Sequence, residues 1–189
     1  MTAPTAAPGE DRSVALALVN TWYLGGSSEV DRLDSTDKAA EWLRTRDLTG
    51  TATPRVRKQD LARLVELRAA VRELFTALAD KRPPEANAVE VVNAEARTHP
   101  AAPQLSWPSD GPVRRWLADR RGGASGAIAA VAWDAITVVC GDTASEVRRC
   151  EAHACVRLFF REHARRRWCS TACGDRVRAM RHHRLHRKT

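Results

Sequence analysis

Four cysteines near the C-terminus carry the densest chemistry in the chain. Four residues separate Cys150 from Cys155, three separate Cys169 from Cys173, and thirteen lie between the two pairs. Thiolates are soft anionic ligands, and two close pairs joined by a hairpin-length stretch have the spacing of a structural zinc module. One structural Zn²⁺ is therefore expected, held by Cys150, Cys155, Cys169 and Cys173. A closed site of four thiolates has no open position for water, so it folds its module and catalyses nothing. His153 and His163 could replace a thiol as ligands, but with four thiols available they are expected to lie at the surface or behind the ligands. The fifth cysteine, Cys140, ends the apolar run that starts at Ile136, and a buried, inert thiol is expected there.

The same stretch is strongly basic. From Arg148 to Thr189 thirteen Arg or Lys stand against Glu151, Glu162 and Asp175, a net of +10, while the whole chain carries +8. The rest of the protein is thus slightly acidic. A solvated charged helix in an Arg-rich chain would be the bland reading, but uniform Arg usage does not segregate charge in this way. Arg forks onto phosphate in a planar, bidentate manner that Lys cannot match. Arg165, Arg166, Arg167, Arg176, Arg178, Arg181, His182 and Arg184 are accordingly the candidate nucleic-acid contacts. DNA is the expected partner. RNA, or an acidic protein surface of the transcription machinery, is the alternative. A lone finger would specify few base pairs, so a homodimer or a partner on the DNA is also expected.

The elements that must position these residues fall into two parts. Residues 1–12 read as a disordered lead without the basic and apolar regions of a secretory signal. Residues 13–141 read as a helical body, and 145–189 as the finger. The fold class expected is α+β: a mainly helical N-terminal domain with a small β-hairpin, plus a C-terminal treble-clef-like zinc finger. In the body, Val14 to Trp22 reads as a buried helix with Asn20 as its one polar interior group. Such an amide must be hydrogen-bonded; it either ties the helix to a neighbouring loop or contacts a ligand, and the first is the commoner use of a buried polar group. Gly25 to Ser28 reads as a turn, and Asp34 to Asp37 offers caps for a helix through Trp42 and Leu43.

Leu61, Leu64, Leu67, Val71, Leu74, Phe75 and Leu78 mark a long amphipathic helix closed by Pro83 and Pro84. Ala86 to Thr98 follows as a helix with Val89, Val91 and Val92 inward. Gln104–Trp107 and Val113–Leu117 read as a hairpin, and Ala124–Val139 as a central helix buried on most faces. In the finger, Val147–Arg149 should be a short strand, with Val156–Phe160 and Arg165–Trp168 as the two arms of a hairpin. Ser170 should cap a final helix to about His186, with Cys173 in its first turn. No run of eighteen uninterrupted apolar residues marks a membrane span. Clustered thiols without a secretion signal imply a reducing, cytoplasmic setting. No Ser-His-Asp arrangement, Gly-rich phosphate loop or open metal site is present, and Asp31, Asp34 and Asp37 are explained by a turn and a helix cap. The chain is therefore expected not to be an enzyme; a deep polar pocket in the body would reopen that question.

Trp168, Cys169 and Ser170 followed by Cys173, Gly174, Asp175 and Arg176 resemble the C-terminal CGNR zinc finger. Upstream, Leu16, Leu18, Asn20, Thr21, Asp31, Trp42, Leu43, Leu67, Arg68, Val71 and Arg72 resemble the ABATE domain that precedes this finger in bacterial proteins. The Ala- and Arg-rich composition fits a GC-rich bacterium. The resemblance implies a stress-induced transcription regulator whose finger binds DNA. The two-part layout and the polar Asn20 in an apolar helix separately suggest that the body senses a small-molecule effector, with Asn20, Trp42 and Arg68 as candidates to line its pocket. Two departures stand out: Asp175 replaces the motif's Asn, and the second cysteine pair is one residue shorter than expected.

Overall fold

The computed structural model describes residues 5–25, 28–49, 54–117 and 122–186; of the side chains in β3, β4 and the last helix, those of 103, 114–117 and 184–186 lie outside the described set. Helix α1 (Val14–Val19) is short because Thr21 closes it, its amide and hydroxyl both donating to Leu18 O. The chain then enters β1 (Trp22–Gly25), paired antiparallel with β2 (Ser28–Asp31). The expected helix to Trp22 thus ends early: Thr21, Trp22 and Tyr23 are β-branched or aromatic and favour the strand. Of the turn expected at Gly25 to Ser28, Gly25 and Ser28 are the paired ends of the two strands, and residues 26 and 27 lie outside the described residues. Ser13 caps α1 by accepting from Leu16 N at 3.1 Å, and its hydroxyl donates to Asp134 Oδ2 at 2.6 Å. That carboxylate also accepts from Ala15 N at 2.8 Å, placing negative charge at the helix start.

Ser35 caps α2 (Thr36–Thr45) through Lys38 N. Helix α3 (Lys58–Asp80) opens with Arg57 N donating to Asp60 and stops where Lys81 takes a left-handed φ of 54°. Helix α4 (Ala86–Thr98) buries Ala88, Val92 and Ala96, one residue per turn, while Val89 is 40% exposed. Of the three valines expected inward, Val92 is buried and Val91 is partly buried against the core, whereas Val89 points out; Ala88 and Ala96 complete the inward face, small residues that let α4 lie close to its neighbours. Strands β3 (Ala102–Ser106) and β4 (Val113–Leu117) form the expected hairpin.

Helix α5 (Gly123–Cys140) is the centre of the body. Ala127, Ile128, Val131, Ala132, Ala135 and Val138 are buried among the apolar residues of α1, α3 and α4. By length and composition it could cross a membrane, but half of it is buried against the rest of the protein. Cys140 is exposed, contrary to the expectation of a buried thiol. It lies two residues beyond buried Val138, about 200° around the helix, and so points away from the core.

A 3₁₀ turn (Asp142–Glu146) leads into β5 (Val147–Arg149), which pairs antiparallel with β6 (Leu158–Phe160). The finger's hairpin is therefore β5 with β6. Arg165–Trp168, expected as its second arm, is irregular and returns alongside, with Glu151 N donating to Arg167 O. The reason lies in burial: all three β6 side chains are buried, so β6 needs an apolar partner such as Val147, which a run of arginines cannot supply. Helix α6 (Thr171–His186) ends the described chain.

Strand β6 joins the two parts of the molecule. Leu158 and Phe160 belong to the body's core with α1, α3 and α5, whereas Phe159 packs with the four-cysteine cluster. Residues 5–12, expected to be disordered, are ordered along this junction. Ala7 is buried, Pro8 O accepts from Phe160 N at 2.8 Å, and Gly9 turns with φ +93° where a Cβ would strike the Phe160 ring. The lead is held because it completes the free edge of β6.

A four-cysteine centre beside a basic helix

The approach to the cysteines is built by the β5–β6 hairpin. Cys150 follows β5 directly, and its amide donates to Arg157 O at 3.0 Å across the loop. Ala154 adopts φ 57°, turning the chain so that Cys155 faces back toward Cys150. Cys169 N donates to Cys150 Sγ at 3.4 Å, and Ser170 caps α6 by accepting from Cys173 N at 3.2 Å. Cys173 thus sits in the first turn of α6, as the spacing requires.

All four sulfurs lie within 4.8 Å of one another. Cys155 to Cys169, Cys169 to Cys173 and Cys173 to Cys155 measure 3.8, 3.7 and 3.8 Å. A tetrahedron with Zn–S bonds of about 2.3 Å has edges of about 3.8 Å, so three edges already have the required length. By themselves, sulfurs this close resist joint ionisation. Hydrogen bonding to Cys150 pushes Cys155 up to about 11 and also drives Cys169 up, while Cys150 is held down by those same two neighbours. A dication removes the conflict by favouring four thiolates together. The donor set fits one Zn²⁺ held by Cys150, Cys155, Cys169 and Cys173, and His153 and His163 are both exposed.

Around this centre the predicted contact residues divide. Glu151 holds Arg167, Glu162 lies 3.7 Å from Arg166, and Asp175 accepts from Arg178 at 2.6 Å. The tail's three acidic residues are thus each spent on one candidate arginine. Asp175, which departs from the motif, is neutralised by its neighbour one turn along α6. Arg178 also lies over the Trp168 ring at 5.9 Å, and Gly174 leaves room for that ring, since a Cβ would come within 3.0 Å of it. Arg176 reaches Cys173 Sγ at 3.6 Å, where it offsets thiolate charge. Arg165 and Arg181 are exposed without an ion pair among the described residues. His182 is exposed beside His183, with ring centroids 6.2 Å apart. Arg184 keeps its place on α6, but its side chain lies outside the described residues.

The candidate pocket residues separate in the same way. Asn20 lies between the body and β6. Its Nδ2 donates to Glu10 Oε1 at 2.8 Å and to Leu158 O at 2.9 Å, and its Oδ1 accepts from Leu158 N at 3.1 Å. It is the structural amide that burial demands. Asn20 and Trp42 also line a small cavity of about 80 Å³ with Glu10, Arg32, Arg46 and Arg157. Arg68 does not line it. Its guanidinium forks onto both oxygens of Asp31 at 2.6 Å and reaches Thr21, and this holds the Asp31 carboxyl below its ordinary value.

Sequence reasoning missed two arginines that carry the junction. Arg72 on α3 donates to Val156 O at 2.7 Å, to Val19 O and to Trp22 O, so one side chain ties α1, β1 and the finger together. Burial pulls it down to about 10, which leaves it charged at neutral pH. Arg157, counted in the basic tail, is buried and paired with Glu10 at 2.7 Å. Its isolation among apolar residues, just before Leu158, was the available signal.

Fold and site together define a zinc-finger protein in which a helical domain and a finger share one core. The ABATE family model, described as "Putative stress-induced transcription regulator", matches residues 12–142, and the CGNR zinc finger model matches 146–186. The chain belongs to the ABATE family and carries the CGNR finger at its C-terminal end. No curated protein matches it.

Proposed function

We propose that this protein is a cytoplasmic, zinc-dependent transcription regulator that binds duplex DNA through its finger and does not act as an enzyme. The observation that carries the reading is the arrangement of charge on a rigid, metal-fastened face. The three local acids are consumed by Arg166, Arg167 and Arg178, while Arg165 and Arg181 stay exposed and unpaired among the described residues. Arg165 contacts backbone phosphates, and the exposed side of α6 with Arg181 and His182 enters a major groove. Zinc supplies rigidity only. A second copy or a partner protein lengthens the recognised site, and the helical body binds a small effector.

The test is binding of the zinc-loaded full chain to duplex DNA across a salt series. Log affinity should fall linearly in log salt with a slope reporting on the order of five phosphate contacts. Truncation after Gly141 is a poor control, since it strips Leu158 and Phe160 from the body's core; charge variants of the full chain replace it. A protein-docking reading draws support from a groove of about 180 Å³ lined by Glu151, His153, Val177, Met180 and Arg181. Absence of DNA binding at low salt, with capture of an acidic peptide, would favour that reading.

A further inference from the structure

The cavity at the junction has a chemistry of its own. Three arginines, Arg32, Arg46 and Arg157, face it against a single acid, Glu10. Glu10 is already engaged by Asn20 Nδ2 and Arg157 Nη2, with Arg46 at 4.0 Å. Arg157 is 5% exposed, and its Nε is buried with no acceptor among the described residues. Arg32 is exposed and has no side-chain partner among them. The wall therefore holds an excess of positive charge and an unused donor. A volume of about 80 Å³ is roughly the share of two or three waters, enough for a carboxylate or phosphate group and too little for a larger molecule.

The cavity adjoins an open groove of about 680 Å³ that shares Arg32, Trp42 and Arg46 and adds Tyr23 and Val30. Of the charged groups on that groove, Asp31 is held by Arg68, Glu41 by Arg44 and Lys38 by Asp34, which leaves Asp37 against Arg32 and Arg46. Small-molecule sites combine an apolar wall with a few converging polar groups, and this pair of spaces has both.

We propose that the body binds a small organic anion, its carboxylate or phosphate head in the cavity among Arg32, Arg46 and Arg157 and its apolar or aromatic part in the groove against Trp42. The proposal rests on the reading of the body as an effector domain and gives that effector a chemical class. It also gives a route to the finger. The anion competes with Glu10 for Arg157, and Glu10 in turn holds Asn20, whose amide is bonded to both backbone groups of Leu158 in β6. Four linked groups therefore connect the ligand to the strand that carries the zinc-side Phe159.

The test needs no DNA, so its outcome is separable from the DNA-binding reading. Calorimetric titration of the zinc-loaded full chain with benzoate and with phenyl phosphate should show saturable binding, while neutral benzamide of nearly the same shape should show none. Arg32→Gln should weaken anion binding at least tenfold with zinc content and far-UV circular dichroism unchanged. Arg46→Gln should do the same. Amide exchange at Leu158 should change on ligand addition. Silence of both anions at millimolar concentration, equal binding of benzamide, or wild-type affinity in Arg32→Gln would overturn the site. Anion binding with unaltered exchange at Leu158 would overturn the route to the finger.

Discussion

Replacing Asn20 with Ala tests whether the finger is clasped to the body by a single side chain. Asn20 acts as a substitute strand: it donates to Leu158 O and accepts from Leu158 N, satisfying the edge of β6 that faces away from β5, and its second donor hydrogen engages Glu10. Three hydrogen bonds are lost on truncation. Each is worth about 1 kcal/mol when simply deleted, and more when a buried partner is left without a replacement. Asn20 is 5% exposed and Leu158 is 1% exposed, so water reaches the orphaned groups poorly. The expected loss is about 2–4 kcal/mol, or a fall of roughly 5–15 °C in Tm for a chain of this size. Urea denaturation gives the first quantity, and amide hydrogen exchange locates it: Leu158 should lose protection selectively, ahead of the α3 and α5 core. A loss below about 0.5 kcal/mol with Leu158 still protected would show that the apolar faces of Leu158 and Phe160 hold the junction alone, and the clasp argument would fail.

Cys173→Ser should reduce bound zinc from one ion per chain to well below one by metal analysis. Because Phe159 packs on the cysteine cluster while its neighbours Leu158 and Phe160 lie in the body core, zinc removal by chelator should also lower the melting of the α3–α5 body; an unaltered body transition would show the two cores to be independent. Since the ligands bind as thiolates, protons compete with the metal, and zinc affinity should fall as pH falls; retention independent of pH would count against the assigned ligands. Asp31 is held below 3.8, first by its hydrogen bonds from Arg68, so its contribution to stability is present above 3.8 and is lost as pH falls through the lower folded value. Asp31→Asn should therefore be less stable than wild type at neutral pH, with the gap closing in acid. In the DNA titration, Arg165→Gln and Arg181→Gln should each reduce the salt slope by about one, whereas Arg167→Gln, whose guanidinium is already held by Glu151, should change it less; equal effects at all three positions would contradict the charge accounting.

The zinc centre was legible in the sequence because ligand spacing is a local property. Two short loops and a helix start fix where Cys150, Cys155, Cys169 and Cys173 can stand, and the sulfur geometry follows from them. A cap within Asp34–Asp37, Ser170 as a cap, the α3 periodicity and the bounds of α4 were read in the same way, since each depends on residues within a turn or two. Asn20 was readable as a buried amide needing partners, but its partners were not, since Glu10 and Leu158 lie 10 and 138 residues away.

What tertiary structure alone decided is which groups meet. Nothing local says that β6 pairs with β5 rather than with the arginine run, that the lead covers its other edge, or that Arg157 leaves the basic set to pair with Glu10 across 147 residues. Charge counting therefore overstated the basic surface, and Cys140 was misjudged by an apolar run whose last residue turned outward. Local spacing and composition set the metal, the positions of most helices and the sign of the tail. Packing determined that finger and body are joined through one doubly buried strand, because burial and ion pairing are settled by the distances between side chains in space and not by their separation along the chain.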